Sequence, residues 1–289
     1  MDFCLNLWFF RAAFEGARFL LFGDPSIENR SLFGNQKMAH IISVHSFRGG
    51  TGKSNTSANL AALYAMDGLR VGVIDTDIQS PGIHVIFGLG EEDVAYSLND
   101  YLWGRCAIEQ TACDVSSVLQ GACPGGAVYL IPSSVNAADI ARVLHDGYDI
   151  DLLSDGFRDL IRALKLDILV IDTHPGLNEE TLLSIAISNA LLVVMRPDYQ
   201  DYQGTGLTVE VARELDVPRM MILINKAPST FDLEQIRRTV ADTYNCPVAG
   251  AIPHSEEMMG LASHHIFAVR YANHPIVTEL KQVAKALRS

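Results

Sequence analysis

Residues 40–54 read His-Ile-Ile-Ser-Val-His-Ser-Phe-Arg-Gly-Gly-Thr-Gly-Lys-Ser, an apolar run that breaks into glycine and closes on a lysine and a serine. A glycine loop between a strand and a helix lets successive backbone N–H groups converge on phosphate oxygens. Gly49, Gly50 and Gly52 can take the backbone angles such a nest needs and leave no Cβ between backbone and phosphate. Lys53 supplies a mobile ammonium for the outer phosphates, and the Ser54 hydroxyl is placed to ligate Mg2+. The common spacing is Gly-x-x-x-x-Gly-Lys-Ser/Thr. Here Phe47 stands where the first glycine belongs, and two adjacent glycines precede Thr51 instead, which makes a deviant and more selective loop. The competing reading is a plain turn with a solvated lysine. Against it, Asn59, Leu60, Ala62, Leu63 and Ala65 continue at helical spacing to a stop at Asp67-Gly68, so the loop sits between a strand and a helix.

Outward from this loop, strands and helices alternate. The pattern predicts strands at 41–47, 70–75, 127–131, 168–172, 190–195, 220–224 and 248–252. It predicts helices near 53–66, 137–144, 152–164, 179–188, 205–215, 233–243 and 276–287. Several strands, such as Ile-Leu-Val-Ile at 168–171 and Leu-Leu-Val-Val at 191–194, are apolar throughout. Such runs belong to strands buried on both faces, hence an α/β fold with a mostly parallel sheet flanked by helices on both faces. Ligand loops then lie beyond the carboxyl ends of the strands, where all the polar motifs fall.

At 289 residues, 48% hydrophobic and 19% charged, the chain suffices for one large α/β domain without a second. A net charge of −12 argues against a broadly basic nucleic-acid surface, though a local basic patch would survive that average. Cys4, Cys106, Cys113, Cys123 and Cys246 are odd in number and form no Cys-x-x-Cys pair, which suits free thiols in a reducing cytoplasm and gives no zinc site. No apolar run reaches the roughly 20 residues of a membrane span. Residues 1–22 are rich in Leu, Phe and Trp, with Arg11, Glu15 and Arg18 on one helical face and neither a basic leader nor a cleavage site. Residues 1–37 are therefore an N-terminal extension: an over-extended reading frame ahead of Met38, a docking helix, or a membrane-surface helix. Residues 38–289 form the domain proper.

Asp75 and Asp172 each end an apolar run, where a carboxylate is poorly solvated unless something cationic lies near. Residues 48–54, the stretch Val-Ile-Asp-Thr-Asp-Ile-Gln-Ser-Pro-Gly at 73–82 and the stretch Ile-Leu-Val-Ile-Asp-Thr-His-Pro-Gly at 168–176 together resemble the ParA/MinD family of deviant Walker-type P-loop ATPases. The resemblance runs over nearly everything from Met38 onward and implies that residues 38–289 are an ATPase domain with a SIMIBI-like P-loop fold. It implies ATP and Mg2+ as cofactors, with Ser54, Asp75 and Asp172 toward the metal and Asp77 orienting the attacking water. The nucleotide-binding set is Gly49, Gly50, Thr51, Gly52, Lys53, Ser54 and Asn55, joined by Asn225 at the adenine-reading position and Pro253 packing on the base. The competing readings are turn or helix caps for the three aspartates, a turn-forming Asn225 and a loop proline.

Arg48 departs from the family, which has a lysine there that touches the phosphates of a second subunit. Arginine keeps the charge and adds a fork, so the same trans contact is feasible, and Arg48 joins Lys53 and Asp77 as a catalytic candidate. The alternative is a solvated loop arginine. His174 stands where most relatives are uncharged; a histidine there could titrate or contact a phosphate, and the competing reading, an ordinary turn histidine, is preferred. The resemblance implies a cytoplasmic ATPase that dimerises with ATP, is accelerated by a partner protein, and positions or partitions DNA, division machinery or other cargo. A second reading is an ATP-gated DNA- or membrane-surface binder with hydrolysis only as reset. For DNA, Arg237, Arg238, Arg270, Lys281, Lys285 and Arg288 are the candidate patch. For membrane, the C-terminal helix offers only Leu280, Val283, Ala284 and Leu287, which suits docking onto the domain better. A third is an ATP-driven metal or cofactor chaperone, which the unpaired cysteines disfavour.

Overall fold

The computed structural model describes residues 39–119, 124–261 and 263–289. The N-terminal extension expected at 1–37 lies outside the described residues, as do Cys4 and Cys123. Eight strands are present among them: β1 (His40–His45), β2 (Arg70–Asp75), β3 (Cys113–Asp114), β4 (Ala127–Ile131), β5 (Ile168–Asp172), β6 (Ala190–Met195), β7 (Met220–Ala227) and β8 (Val248–Pro253). The longer helices are α1 (Lys53–Met66), α2 (Ala137–Asp146), α3 (Ile150–Leu164), α4 (Glu179–Ala186), α5 (Tyr199–Glu214), α6 (Leu233–Tyr244) and α7 (Pro275–Arg288).

The strands form one sheet in the order β3-β4-β2-β5-β1-β6-β7-β8. Every pairing is parallel except β3 with β4. The apolar runs occupy the middle: β5 and β6 are buried at every residue. One core, on the face of α3 through α6, gathers Phe157, Leu169, Leu191 and Ile222. The other, under α1 and α7, gathers Tyr64, Val73, Val170 and Leu280. Burying an aliphatic side chain of this kind stabilises by about 1.5–3 kcal/mol before chain entropy is charged against it. The C-terminal helix α7 thus docks onto the domain, as its apolar stripe predicts; Tyr64 of α1 donates its hydroxyl to the Ala284 carbonyl at 2.9 Å.

The structure corrects several expectations. β1 ends at His45 rather than at residue 47, because Phe47 turns away to pack on α5, where a Cβ on Gly204 would lie 2.1 Å from its ring. α5 starts at Tyr199, six residues earlier than predicted. Asp198 caps it by accepting from Asp201 N at 3.0 Å, while Gly204 and Gly206 hide the helical pattern. β7 runs on to Ala227 through an irregular register in which Lys226 takes a φ of +55°. The antiparallel edge strand β3 and the short helical turns Ile83–Ile86, Leu98–Leu102, Glu256–Gly260 and Phe267–Arg270 were not anticipated.

Candidate functional site

The loop after β1 enters α1 through two glycines in left-handed backbone, Gly50 at φ +79° and Gly52 at φ +95°. Gly52 has a second reason to lack a side chain: a Cβ would lie 2.4 Å from the Asn225 amide nitrogen. That amide donates to the Thr51 carbonyl at 2.8 Å, and Lys226 Nζ donates to the Gly50 carbonyl at 2.8 Å. The end of β7 therefore grips the loop from outside. Burial, with Arg196 nearby, lowers the Lys226 pKa from its usual value.

α1 is buried on almost every side, so its polar residues turn their donors back on the preceding helical turn. Thr56 Oγ1 donates to the Gly52 carbonyl at 2.9 Å, and Ser57 Oγ lies 3.1 Å from the Lys53 carbonyl, sharing its one hydrogen between that oxygen and Asp172. This fixes Lys53 at the helix start, 6% exposed. Its ammonium lies 3.4 Å from Asp172 Oδ1 and 3.9 Å from Asp77 Oδ2. Asp172 Oδ1 also accepts from Ser57 Oγ at 3.0 Å, whereas its buried Oδ2 has no hydrogen-bond partner among the described residues.

The parallel register sets Asp75 directly opposite Asp172 across β2 and β5. Burial first, and then the Asp172 and Asp77 charges, push the Asp75 pKa well above the carboxylate range, with Lys53 pulling the other way. Asp75 is also tied to its own following turn, accepting from Asp77 N at 3.0 Å and Gly82 N at 3.4 Å. Its expected lack of solvation is thus met in part by backbone amides. Asp77 and Asp172 against one ammonium leave an excess of negative charge that a divalent cation would offset, and the same cation would favour the charged form of Asp75.

His174 is not a plain turn histidine: its Nδ1 is 2.6 Å from Asp77 Oδ1. Next to it, Thr173 Oγ1 donates to the Val44 carbonyl at 3.2 Å and lies 2.8 Å from His45 Nδ1. With its hydrogen so used, the hydroxyl receives the proton on Nδ1 and leaves His45 Nε2 buried without a partner among the described residues. Burial, and then the Lys53 charge, depress the His45 pKa to about 3, so this ring stays neutral beside the lysine.

Ser54 and Asn55 lie in the first turn of α1, and the Asn55 amide reaches Ser263 Oγ at 3.5 Å. Pro253 ends β8 opposite Ala227. Asn225, 4% exposed, braces the loop and accepts from Lys226 N at 2.9 Å, so both ends of its amide are engaged on backbone. Arg48 is partly exposed and turns back onto its own chain. It lies 3.8 Å from Asp198 and 3.7 Å from Asp201, both also paired with Arg196. In the suggested basic patch, Arg237 is bound by Glu279 and Glu234, and Arg288 lies over the Tyr64 ring. Among the described residues Cys106, Cys113 and Cys246 are free thiols, and no helix is long and apolar enough to cross a membrane. Sequence reasoning missed Ser57, which sits four residues after Lys53 and hence on the same helix face, and it missed the contact of Lys226 with the loop.

Comparison with known proteins agrees with this fold. The family described as the AAA domain matches residues 39–217, more than half of the chain. An uncharacterized ATP-binding protein of Methanocaldococcus jannaschii is 27% identical over 251 residues, covering 86% of this chain and 88% of that one. The septum site-determining protein MinD of Bacillus subtilis is 23% identical over 237 residues, 78% of this chain and 81% of that one. Among solved structures, MinD of Pyrococcus horikoshii complexed with Mg-ADP superposes with a TM-score of 0.68 at 20% identity, covering 86% of this chain and 95% of that one.

Proposed function

The chain belongs to the ParA/MinD family of P-loop ATPases, within the AAA domain family, and on that premise we propose that it is a Mg2+-dependent ATPase acting as an ATP-driven dimerisation switch that positions or partitions cargo in the cytoplasm. One arrangement carries the reading: a left-handed glycine loop delivers a buried lysine to two carboxylates, Asp77 and Asp172, and Asp172 keeps an unpartnered buried oxygen with Asp75 opposite it.

Among the described residues no three His, Cys, Asp or Glu side chains converge into a metal cage. Magnesium needs none, since it keeps several waters and takes one or two carboxylates together with substrate phosphates. Asp172, with its orphaned oxygen, and Asp75 opposite it across β2 and β5 suit an ion that arrives with the nucleotide, with Ser54 in the first turn of α1 as the hydroxyl that would join them. The ion supplies screening of the phosphate charge.

The chain's own residues do the rest. The amides of residues 49–54 and the Lys53 ammonium hold the phosphates. Asp77, beside Lys53, accepts a hydrogen from the attacking water and so aims it at the outermost phosphorus. Asn225 and Pro253 flank the base; Asn225 retains one amide hydrogen and one lone pair for it. Arg48 leaves Asp198 and Asp201 to reach the phosphates of a second copy. Loss of the outer phosphate loosens residues 75–82 and 173–178 and separates the two copies. Turnover is slow, and a partner protein accelerates it.

The test uses the full chain. With Mg-ATP it should release phosphate slowly and double its sedimenting mass, and with Mg-ADP it should stay a monomer. A dimer that forms regardless of nucleotide, or no phosphate release at all, would sink the proposal.

A further inference from the structure

The contact between His174 and Asp77 joins two segments 97 residues apart in sequence. A carboxylate can only accept, so the proton between them sits on His174 Nδ1. Asp77 Oδ1 takes a second hydrogen bond from Ser80 N at 3.2 Å. With two donors on Oδ1, the carboxylate is held in one orientation, and its other oxygen is the one that faces Lys53 at 3.9 Å. The histidine is itself fixed. Its carbonyl accepts from Thr181 Oγ1 at 3.2 Å, and two residues on, Gly176 N donates to the Ser46 carbonyl at 3.2 Å. The side chain is 21% exposed, so the bond is sheltered from competing water.

We propose that His174 is a positioning residue for hydrolysis. Its Nδ1–H pins one oxygen of Asp77 so that the other is presented, in fixed orientation, to the space beside Lys53 where the attacking water must stand. The same bond latches the segment after β2 to the segment after β5, so both respond to the outer phosphate together. His174 touches no phosphate; it acts through Asp77. This rests on the ATPase reading above and adds to it a residue that the sequence pattern alone treats as a turn.

Replacement chemistry separates positioning from simple packing. An asparagine amide nitrogen overlays the imidazole Nδ1, whereas a glutamine amide nitrogen overlays Nε2. In the full chain with saturating Mg-ATP, His174→Ala should lower kcat about ten-fold, the worth of a hydrogen bond to a charged acceptor, with KM for ATP unchanged. His174→Asn should recover most of the rate, and His174→Gln should not. An unchanged kcat in His174→Ala, or equal rates for the asparagine and glutamine variants, would overturn the proposal. A second measurement needs no turnover: denaturant unfolding of the nucleotide-free protein with His174→Ala, Asp77→Ala and the double variant. The paired losses should be markedly less than additive, and strict additivity overturns the latch. If the unmodified protein releases no phosphate, the ATPase reading fails while this cycle still decides the latch.

Discussion

The outer half of the glycine loop, Arg48 to Gly50, and its inner half, Thr51 to Lys53, carry one cation each and use them oppositely. Lys53 is 7% exposed at the side chain and faces carboxylates from two other strand ends. Arg48 is 39% exposed and rests on two aspartates at the start of a helix. The backbone differs in the same sense: a Cβ on Gly49 would meet nothing within 4 Å, whereas one on Gly52 would meet Asn225 at 2.4 Å. The inner half is a mount that the rest of the fold holds still. The outer half, though tied at the Gly50 carbonyl by Lys226, carries in Arg48 a surface arm free to change partners.

Removing the inner cation should have the largest effect. Lys53→Ala takes the ammonium from between buried carboxylates and leaves them unpaired, a defect that costs about 3–5 kcal/mol when a buried pair is broken. Equilibrium titration should show nucleotide binding lost, and denaturant unfolding should show the stability drop. Should Lys53→Ala bind Mg-ATP normally, the inner half is not the mount described here.

Next comes the mount itself. Gly52→Ala meets both the left-handed φ and the Asn225 amide, so it should cost about 2 kcal/mol and weaken nucleotide binding. Gly49→Ala, in open space without a positive φ, should leave stability within about 0.5 kcal/mol. Equal losses at the two glycines would erase the distinction between the halves.

Much of the inner half was legible in the sequence, because its constraints are local. Gly52, Lys53 and Ser54 are consecutive, α1 begins and ends where the periodicity and Asp67-Gly68 place it, and the apolar runs of β5 and β6 announce strands buried on both faces. What escaped depends on distance or brevity. The two residues of β3 are too few to show a period. The grip of Asn225 and Lys226 on the loop, and the bond from His174 to Asp77, join segments far apart along the chain. Ser57 was within reach, since four residues after Lys53 is one helical turn.

A neutral ring lies under the mount, and its effect should be smaller again. The His45 pKa is about 3 in the fold against an ordinary 6.5, so between these values the unfolded chain binds a proton that the folded one refuses. Stability from this group is therefore complete above about pH 6.5 and falls as pH drops toward 3, by up to about 1.4 kcal/mol per unit. His45→Asn keeps a donor for Thr173 and cannot titrate. Its unfolding free energy should fall less steeply between pH 6.5 and 4.5 than that of the unmodified protein. Parallel slopes would mean that the ring takes up its proton without cost, and that the inner half is less dry than the structure shows.

The smallest effect on stability belongs to the outer cation. Ion pairs this exposed contribute below about 1 kcal/mol, so Arg48→Ala should unfold almost as the parent does and bind nucleotide with similar affinity. Its consequence should appear only when two copies meet. If Arg48 must leave Asp198 and Asp201 to reach a second subunit, the pairing within the chain competes with dimerisation. Arg48→Ala should then lose ATP-dependent mass doubling in sedimentation, Arg48→Lys should retain part of it, and Asp198→Asn should strengthen it by loosening the arm. Asp198 suits the last variant because it is 43% exposed, whereas Asp201 is buried and also accepts from the Arg196 backbone. Dimerisation by Arg48→Ala at the parental ATP concentration would show that the arm is structural, and the contrast between the halves would then be one of burial alone.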